Sequence, residues 1–508
     1  MKFQIKGNYH SGSFDLPPVT GPKAVENIIT RYCPAELNLK LWECPVDYQA
    51  VEKVIASANN GFKIWKKTAQ LERNILLGKY HEEVSKRKDE IASAISHETG
   101  KPVWEAKIEV SSTIDNIKVI LNDSIVRIRS KTIENILPKT TGHIFYKPIG
   151  PSLIIGPSNP PCELSNGQII SALAAGNSVI FKPSEKTSYS AQLLIECFHE
   201  AGFPPGVINL IQGEGEIARR LLKDRSIRAV FFTGSKEVGK KILEITHHDL
   251  AKLVSLELGG KNTTIIHGDA NLNLALIQTL RSSFLSAGQR CTSTSLVAIE
   301  RKIHEKFISN FHELSKKIVI DHPVDFQREP FMGPLIDQAS VDSYLLFMGM
   351  AKREGIQEIM RGKQIERPKK GHYVSPSIHF ADKWNSESHF LQSEIFGPNV
   401  TFIPYDTIEE AIQIANSTEY GLAASVFTRS HSLYQNCIDE IEAGIVNYNH
   451  STLDNSNRLP SGGVKNSGNF RPSGINTIDA CVYQMAGLEV VTDEEQAENL
   501  HSIVGLNL

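Results

Sequence analysis

A chain of 508 residues exceeds what one hydrophobic core ordinarily serves, so two or three domains are expected. Hydrophobic residues make up 41% and charged residues 22%, the composition of a soluble globular protein. The formal net charge is -3 with no block of like charge, which argues against a nucleic-acid or membrane-surface partner held by bulk electrostatics.

Seven cysteines are scattered, and none forms a Cys-x-x-Cys pair. Neither a disulfide framework nor a metal site is expected, and a reducing compartment fits best. The first residues contain no apolar run long enough for a signal peptide, and no apolar stretch is long enough to span a bilayer. The cytoplasm is the expected location.

Residues 1 to about 45 read as an irregular, proline-containing arm over the surface. Helical periodicity begins near Val51 and is clear over 71–97, with a stop at Gly100-Lys101-Pro102. From 150 to 260, short apolar strands (152–155, 178–181, 207–211, 229–232 and 253–258) alternate with helical stripes at 193–201, 217–222 and 238–245. This alternation predicts an α/β fold with a doubly wound parallel sheet, whose ligands bind beyond the carboxyl ends of the strands. A second α/β region follows, with strands at 295–299, 400–403, 424–427 and 445–448 and a helix over 271–287 leading to Cys291. Segments 126–147 and 480–490 read as strands outside both units, of the kind that pair across subunits.

Two positions stand out chemically. Cys291, in Gly288-Gln289-Arg290-Cys291-Thr292, is a thiol among small and polar residues with an arginine beside it, as a nucleophile would be. Glu257, in Glu257-Leu258-Gly259-Gly260, is a carboxylate between leucines with two glycines after it, as a general base with room around it would be. The bland readings are a buried structural cysteine and a carboxylate in a salt bridge.

Six motifs occur in order: Ser158-Asn159, Lys182-Pro183-Ser184-Glu185, Phe232-Thr233-Gly234-Ser235, Glu257-Leu258-Gly259-Gly260, Gly288-Gln289-Arg290-Cys291 and Glu394-Ile395-Phe396-Gly397-Pro398. Together they resemble the aldehyde dehydrogenase superfamily over about 45–490. The resemblance implies a cofactor domain (1–125 and 150–256), a catalytic domain (257–465) and a β bridging or oligomerisation element with tail (126–149 and 466–508). It implies a homodimer or a dimer of dimers. A narrower set, Glu98-Thr99-Gly100-Lys101-Pro102 with Trp104-Glu105, Asn166-Gly167, Gly444-Ile445-Val446-Asn447 and Ser467 to Ser473, resembles the branch that oxidises N-succinyl-L-glutamate 5-semialdehyde in arginine catabolism. Another semialdehyde, such as glutamate semialdehyde, or a non-catalytic binding protein on this scaffold are the rival readings.

What the resemblance implies for the site is specific. Cys291 attacks the aldehyde to give a thiohemiacetal. The Asn159 side chain and the Cys291 amide hold the oxyanion, and Glu257 activates the water that cleaves the thioester. Lys182 and Glu185 hold the adenosine ribose. Gly234, Ser235, Val238 and Gly239 open a helix at the pyrophosphate, Glu394 takes the nicotinamide ribose, and Phe396 packs near its ring. A carboxylate at Glu185 accepts from a 2′-hydroxyl and repels a 2′-phosphate, which favours NAD, while the adjacent Lys182 keeps NADP open. Arg290, Arg458 and Arg471 are the basic candidates for a multiply anionic substrate. Relatives usually carry phenylalanine where this chain has Pro160 and Ser461, and both departures fall beside the expected site.

Overall fold

The structure is a computed structural model in which residues 3–19 and 27–490 are described. Residues 1–2 and 20–26 and the 491–508 tail, which the sequence reading attached to the arm and the bridging element, lie outside the described residues.

The first large sheet has seven strands in the order Leu253–Glu257, Ala229–Thr233, Ser152–Ile155, Val179–Lys182, Ile208–Leu210, Asn8–His10, Ser13–Asp15. The first five run parallel. Ser152–Ile155, Val179–Lys182, Ile208–Leu210 and Ala229–Thr233 are buried end to end, because helices cover both faces. Ile154, Phe181 and Phe231 pack with Leu173 and Phe198 on one side. Leu153, Ile180 and Val230 pack with Val54, Leu221 and Ile242 on the other. Burial on both faces is why these segments read as unbroken apolar runs.

The reading of residues 1–45 as an irregular arm is corrected. Asn8–His10 and Ser13–Asp15 extend the first sheet as antiparallel edge strands, and Ile28–Cys33 pairs with Glu36–Pro45. The helical stretch 71–97 is two helices, Gln70–Lys86 and Lys88–Thr99, and the second ends at Gly100 in the left-handed conformation (φ 82°).

The second sheet also has seven strands, in the order Gln357–Met360, Ser377–Phe380, Asn399–Tyr405, Thr294–Glu300, Asn262–Ile266, Ala423–Phe427, Ile445–Tyr448. All but the first pair are parallel. Strand Asn262–Ile266, absent from the sequence reading, is wholly buried near its centre; its Asn-Thr-Thr start hid it among loop residues. Lys131–Leu137, Thr140–Pro148 and Val482–Val490 form a separate antiparallel sheet, the last two paired over nine positions. These segments therefore pair with one another inside the chain, where the sequence reading looked to a partner subunit.

Candidate active site

The two large sheets meet end to end. Glu257 is the last residue of its strand, at the carboxyl edge of the first sheet. Gly259-Gly260 turns the chain, and Asn262 begins an inner strand of the second sheet at its amino edge. Cys291 approaches the same seam, three residues before strand Thr294–Glu300. Asn262 Nδ2 donates to the Cys291 carbonyl at 2.7 Å and to the Ser293 carbonyl at 2.9 Å, which ties the two strand starts together.

Both glycines of the turn are required by close approach. A Cβ on Gly259 would lie 1.9 Å from Glu394 Oε2, and one on Gly260 would lie 2.7 Å from the Cys291 carbonyl oxygen. Gly260 N–H donates to Glu394 Oε1 at 3.1 Å. Glu257, Cys291 and Glu394, far apart in sequence, are thus brought to one place by a two-residue turn without side chains.

A single cavity of about 780 Å³ runs from this seam across the carboxyl ends of the first sheet's strands. Its lining includes Cys291, Glu257, Asn159, Glu394, Phe396, Lys182, Glu185, Gly234, Ser235 and Val238, so ten of the candidate residues share one wall. Gly239 lies behind it instead: a Cβ there would sit 2.8 Å from Leu258 Cδ2, so this glycine lets the helix pack on the Glu257 turn.

The cavity's far end suits a dinucleotide. Ala218, Leu222, Val238, Ile242 and Ile245 make an apolar slot of a kind that accepts a flat base. Ser235 caps the helix Lys236–Thr246 by accepting from Val238 N–H, leaving that helix's amino end facing the cavity for an anion. Lys182 Nζ donates to the Pro183 carbonyl at 2.6 Å beside Glu185, and burial pulls its pKa down to about 8 against the opposing pull of Glu185 and Glu214. The residues present fit a nicotinamide dinucleotide.

At the other end burial shifts the titratable groups toward their neutral forms. Burial pushes the Cys291 thiol up to about 12, with Glu394 and Glu257 adding to the rise. Burial pushes Glu257 up to about 8; the Ser473 N–H, 3.1 Å from Oε1, and the Ser473 side chain oppose it. Burial likewise pushes Glu394 up to about 7. Carboxyls displaced this far inside a cleft are the usual mark of acid–base work.

Asn159 Nδ2 donates to the Gln289 carbonyl at 3.0 Å, so the amide reaches the loop before Cys291 with Pro160 in place. Ser461 lies in a two-residue strand paired to Ser473–Gly474 and accepts from Ser473 Oγ at 2.9 Å, which places it behind the partner of Glu257.

The basic candidates do not converge. Arg290 is bound to Glu105 at 2.7 Å, Arg458 to Asp123 at 3.0 Å, and Arg471 is exposed on the surface. What sequence reasoning missed is the helix Val103–Asn122, which carries Glu105 against Arg290. Its buried face carries Glu105 and Glu109 among Ala106, Val110, Thr113 and Ile117. Two acids four residues apart on an apolar face repel unless each has its own cation. That pattern was a readable signal, and the cations are Arg290 and Lys101.

A model of the aldehyde dehydrogenase family matches residues 23–486, and the chain belongs to that family of NAD(P)-dependent oxidoreductases. It is 35% identical over 448 residues to an N-succinylglutamate 5-semialdehyde dehydrogenase of Novosphingobium aromaticivorans, covering 87% of this chain and 92% of that one. It is 35% identical over 494 residues to the protein of that name from Legionella pneumophila, covering 96% and 95%. Among solved structures, an NAD-dependent aldehyde dehydrogenase from Sinorhizobium meliloti superposes with a TM-score of 0.91 at 27% identity, covering 97% and 96%. A betaine aldehyde dehydrogenase from Staphylococcus aureus in complex with NAD+ gives 0.90 at 26% identity, covering 96% of each chain. Among the described residues no helix is long and apolar enough to cross a membrane.

Proposed function

We propose that this chain oxidises N-succinyl-L-glutamate 5-semialdehyde to N-succinyl-L-glutamate with NAD, through covalent catalysis at Cys291. The observation that carries the reading is the convergence of Cys291, Glu257, Asn159 and Glu394 on the same cavity as the slot at Lys182, Glu185 and Ser235. The likeness to the two succinylglutamate semialdehyde dehydrogenases supports the substrate.

Cys291 Sγ adds to the aldehyde carbon as its proton is lost to solvent in the cavity, which leaves Glu257 for the second step. The thiohemiacetal oxyanion is held by the second Asn159 amide N–H, the first being committed to Gln289, and by the Cys291 amide. One such donor is worth about 3 kcal/mol to the transition state. Glu394 and Lys182 would hold the two riboses of a nicotinamide dinucleotide and Glu185 would accept from its adenosine 2′-hydroxyl, and the group would supply the acceptor for the hydride that leaves the substrate carbon. The resulting thioester on Cys291 is then hydrolysed by water that Glu257, in its ionised form, deprotonates.

The proposal extends to architecture. The two large sheets stand as cofactor and catalytic domains, and the three-stranded sheet stands as the bridge of a homodimer or dimer of dimers. Exposed Ile133, Leu137, Tyr483 and Leu488 on that sheet support the bridge. Seven free thiols support the cytoplasm. A panel of semialdehydes compared by kcat/KM tests the substrate: the succinylated compound leads, and a lead by short unsubstituted aldehydes overturns it.

A further inference from the structure

We infer that Glu105 is a positioning residue for the reaction: its carboxylate clasps both ends of the turn Ser286–Arg290 and so aims the Cys291 thiol and amide. This rests on the reading of Cys291 as the nucleophile.

The turn is unusual. Ser286 (φ 54°), Ala287 (φ 53°) and Gly288 (φ 68°) are consecutive residues in the left-handed region. Glycine is at home there, and at Gly288 it is obligatory, since a Cβ would lie 2.1 Å from the Gly397 carbonyl oxygen. Serine and alanine are not, and two such residues in a row persist only where their surroundings hold them.

Glu105 supplies that hold. Its carboxylate accepts from Ser286 N–H at 3.2 Å, from Ser286 Oγ, and from Arg290 Nη2 at 2.7 Å. Arg290 Nε closes the ring by donating to Ser286 Oγ at 2.9 Å. Glu105 is 1% exposed and rides on the long helix Val103–Asn122, so the anchor is rigid. Gln289, between the clasped residues, presents the carbonyl that takes the Asn159 amide. The carbonyl of Cys291 is fixed from the other side by Asn262. With the turn clasped on one side and the strand start pinned on the other, the peptide between Arg290 and Cys291 has one orientation. That orientation decides where the Cys291 N–H and Sγ point relative to Asn159. A displacement of the order of 1 Å there is enough to cost a large factor in rate.

The test uses the full-length protein and an activated nitrophenyl ester, which acylates the same thiol and uses the same oxyanion donors but needs no cofactor. Glu105→Gln keeps the shape and removes the charge. Its acylation burst is expected to slow about tenfold or more, and kcat with aldehyde to fall with it, while NAD affinity stays within about twofold. Adding Ala287→Gly, which suits the left-handed backbone, is expected to restore part of the lost burst rate. A folded Glu105→Gln protein with an unchanged burst rate overturns the inference. So does a loss that Ala287→Gly leaves untouched, since that describes a structural role only. If Glu105→Gln does not fold, Ser286→Ala removes the two bonds of the clasp that the hydroxyl makes, to Glu105 and from Arg290: a burst slowed several-fold supports it, and an unchanged one overturns it. Cys291→Ala separates the two readings, because a burst that survives this change sinks the nucleophile assignment itself, whatever Glu105 does.

Discussion

Lys101 Nζ lies 2.7 Å from the carbonyl oxygen of Asn159 and 2.6 Å from Glu109 Oε2. Glu109 Oε1 accepts in turn from Cys162 N–H at 3.0 Å. The backbone on both sides of Pro160 therefore hangs from one buried ion pair. Lys101→Met strands the Glu109 carboxylate without its cation, and breaking a buried pair in this way costs about 3–5 kcal/mol. Urea unfolding of the two proteins measures it; a difference near zero would mean that the pair is dispensable.

Gly259→Ala puts a methyl group into the space of the Glu394 carboxylate, which must leave the Gly260 N–H. A hydrogen bond to a charged group is worth about 1.5–3 kcal/mol, so kcat/KM for NAD is expected to fall about ten- to a hundredfold. Steady-state kinetics with NAD as the varied substrate decide this. Retention of wild-type values would show that Glu394 does not hold the cofactor.

Glu257→Gln is expected to release a burst of NADH and then stall at the thioester, which stopped-flow absorbance detects. In the unmodified protein the deacylation rate rises with pH through about 8, because only the ionised carboxylate accepts a proton. The same displacement governs stability. A carboxyl whose folded pKa is raised favours folding less as pH climbs from its ordinary value to about 8, and the effect is level beyond that. The melting-temperature advantage of Glu257→Gln should therefore widen between about pH 5 and 8 and then stay flat. An advantage that shrinks over this range contradicts a buried, neutral Glu257.

Glu185→Ala removes the acceptor assigned to the 2′-hydroxyl and the charge that opposes a 2′-phosphate. The NADP to NAD ratio of kcat/KM should rise about tenfold, the size of one charge-assisted hydrogen bond. An unmoved ratio would place the discrimination elsewhere in the cavity.

Iodoacetamide should label Cys291 ahead of the other six cysteines, which are buried while Cys291 opens on the cavity, and the rate should climb with pH because burial holds its thiol protonated up to about 12. Peptide mass mapping reads the result, and labelling of Cys162 or Cys481 before Cys291 would contradict the described packing.

Much of this was legible in the chain. Alternating apolar runs at 152–155, 178–181 and 229–232 announced a parallel sheet, because strands covered on both faces need no polar positions. The ordered motifs around Asn159, Lys182, Gly234, Glu257, Cys291 and Glu394 marked the candidate residues. Strand Asn262–Ile266 was not legible, since its polar half is satisfied by neighbours that local sequence does not show: Thr264 bonds Thr294, and Asn262 bonds Cys291 and Ser293. The arginines misled for the same reason. Arg290 looked free until the helix Val103–Asn122 brought Glu105 against it.

The sequence alone determined which chemistry the chain carries, because a thiol, a carboxylate and glycine turns keep their character wherever they fall. Only the tertiary structure decided how those groups are charged and aimed. Two sheets abutting at Gly259-Gly260 set the carboxylates and the thiol in one recessed seam, where burial, not residue type, raises Glu257 to about 8 and Cys291 to about 12. Distances across such a seam depend on contacts between residues more than a hundred positions apart, and no local pattern encodes them.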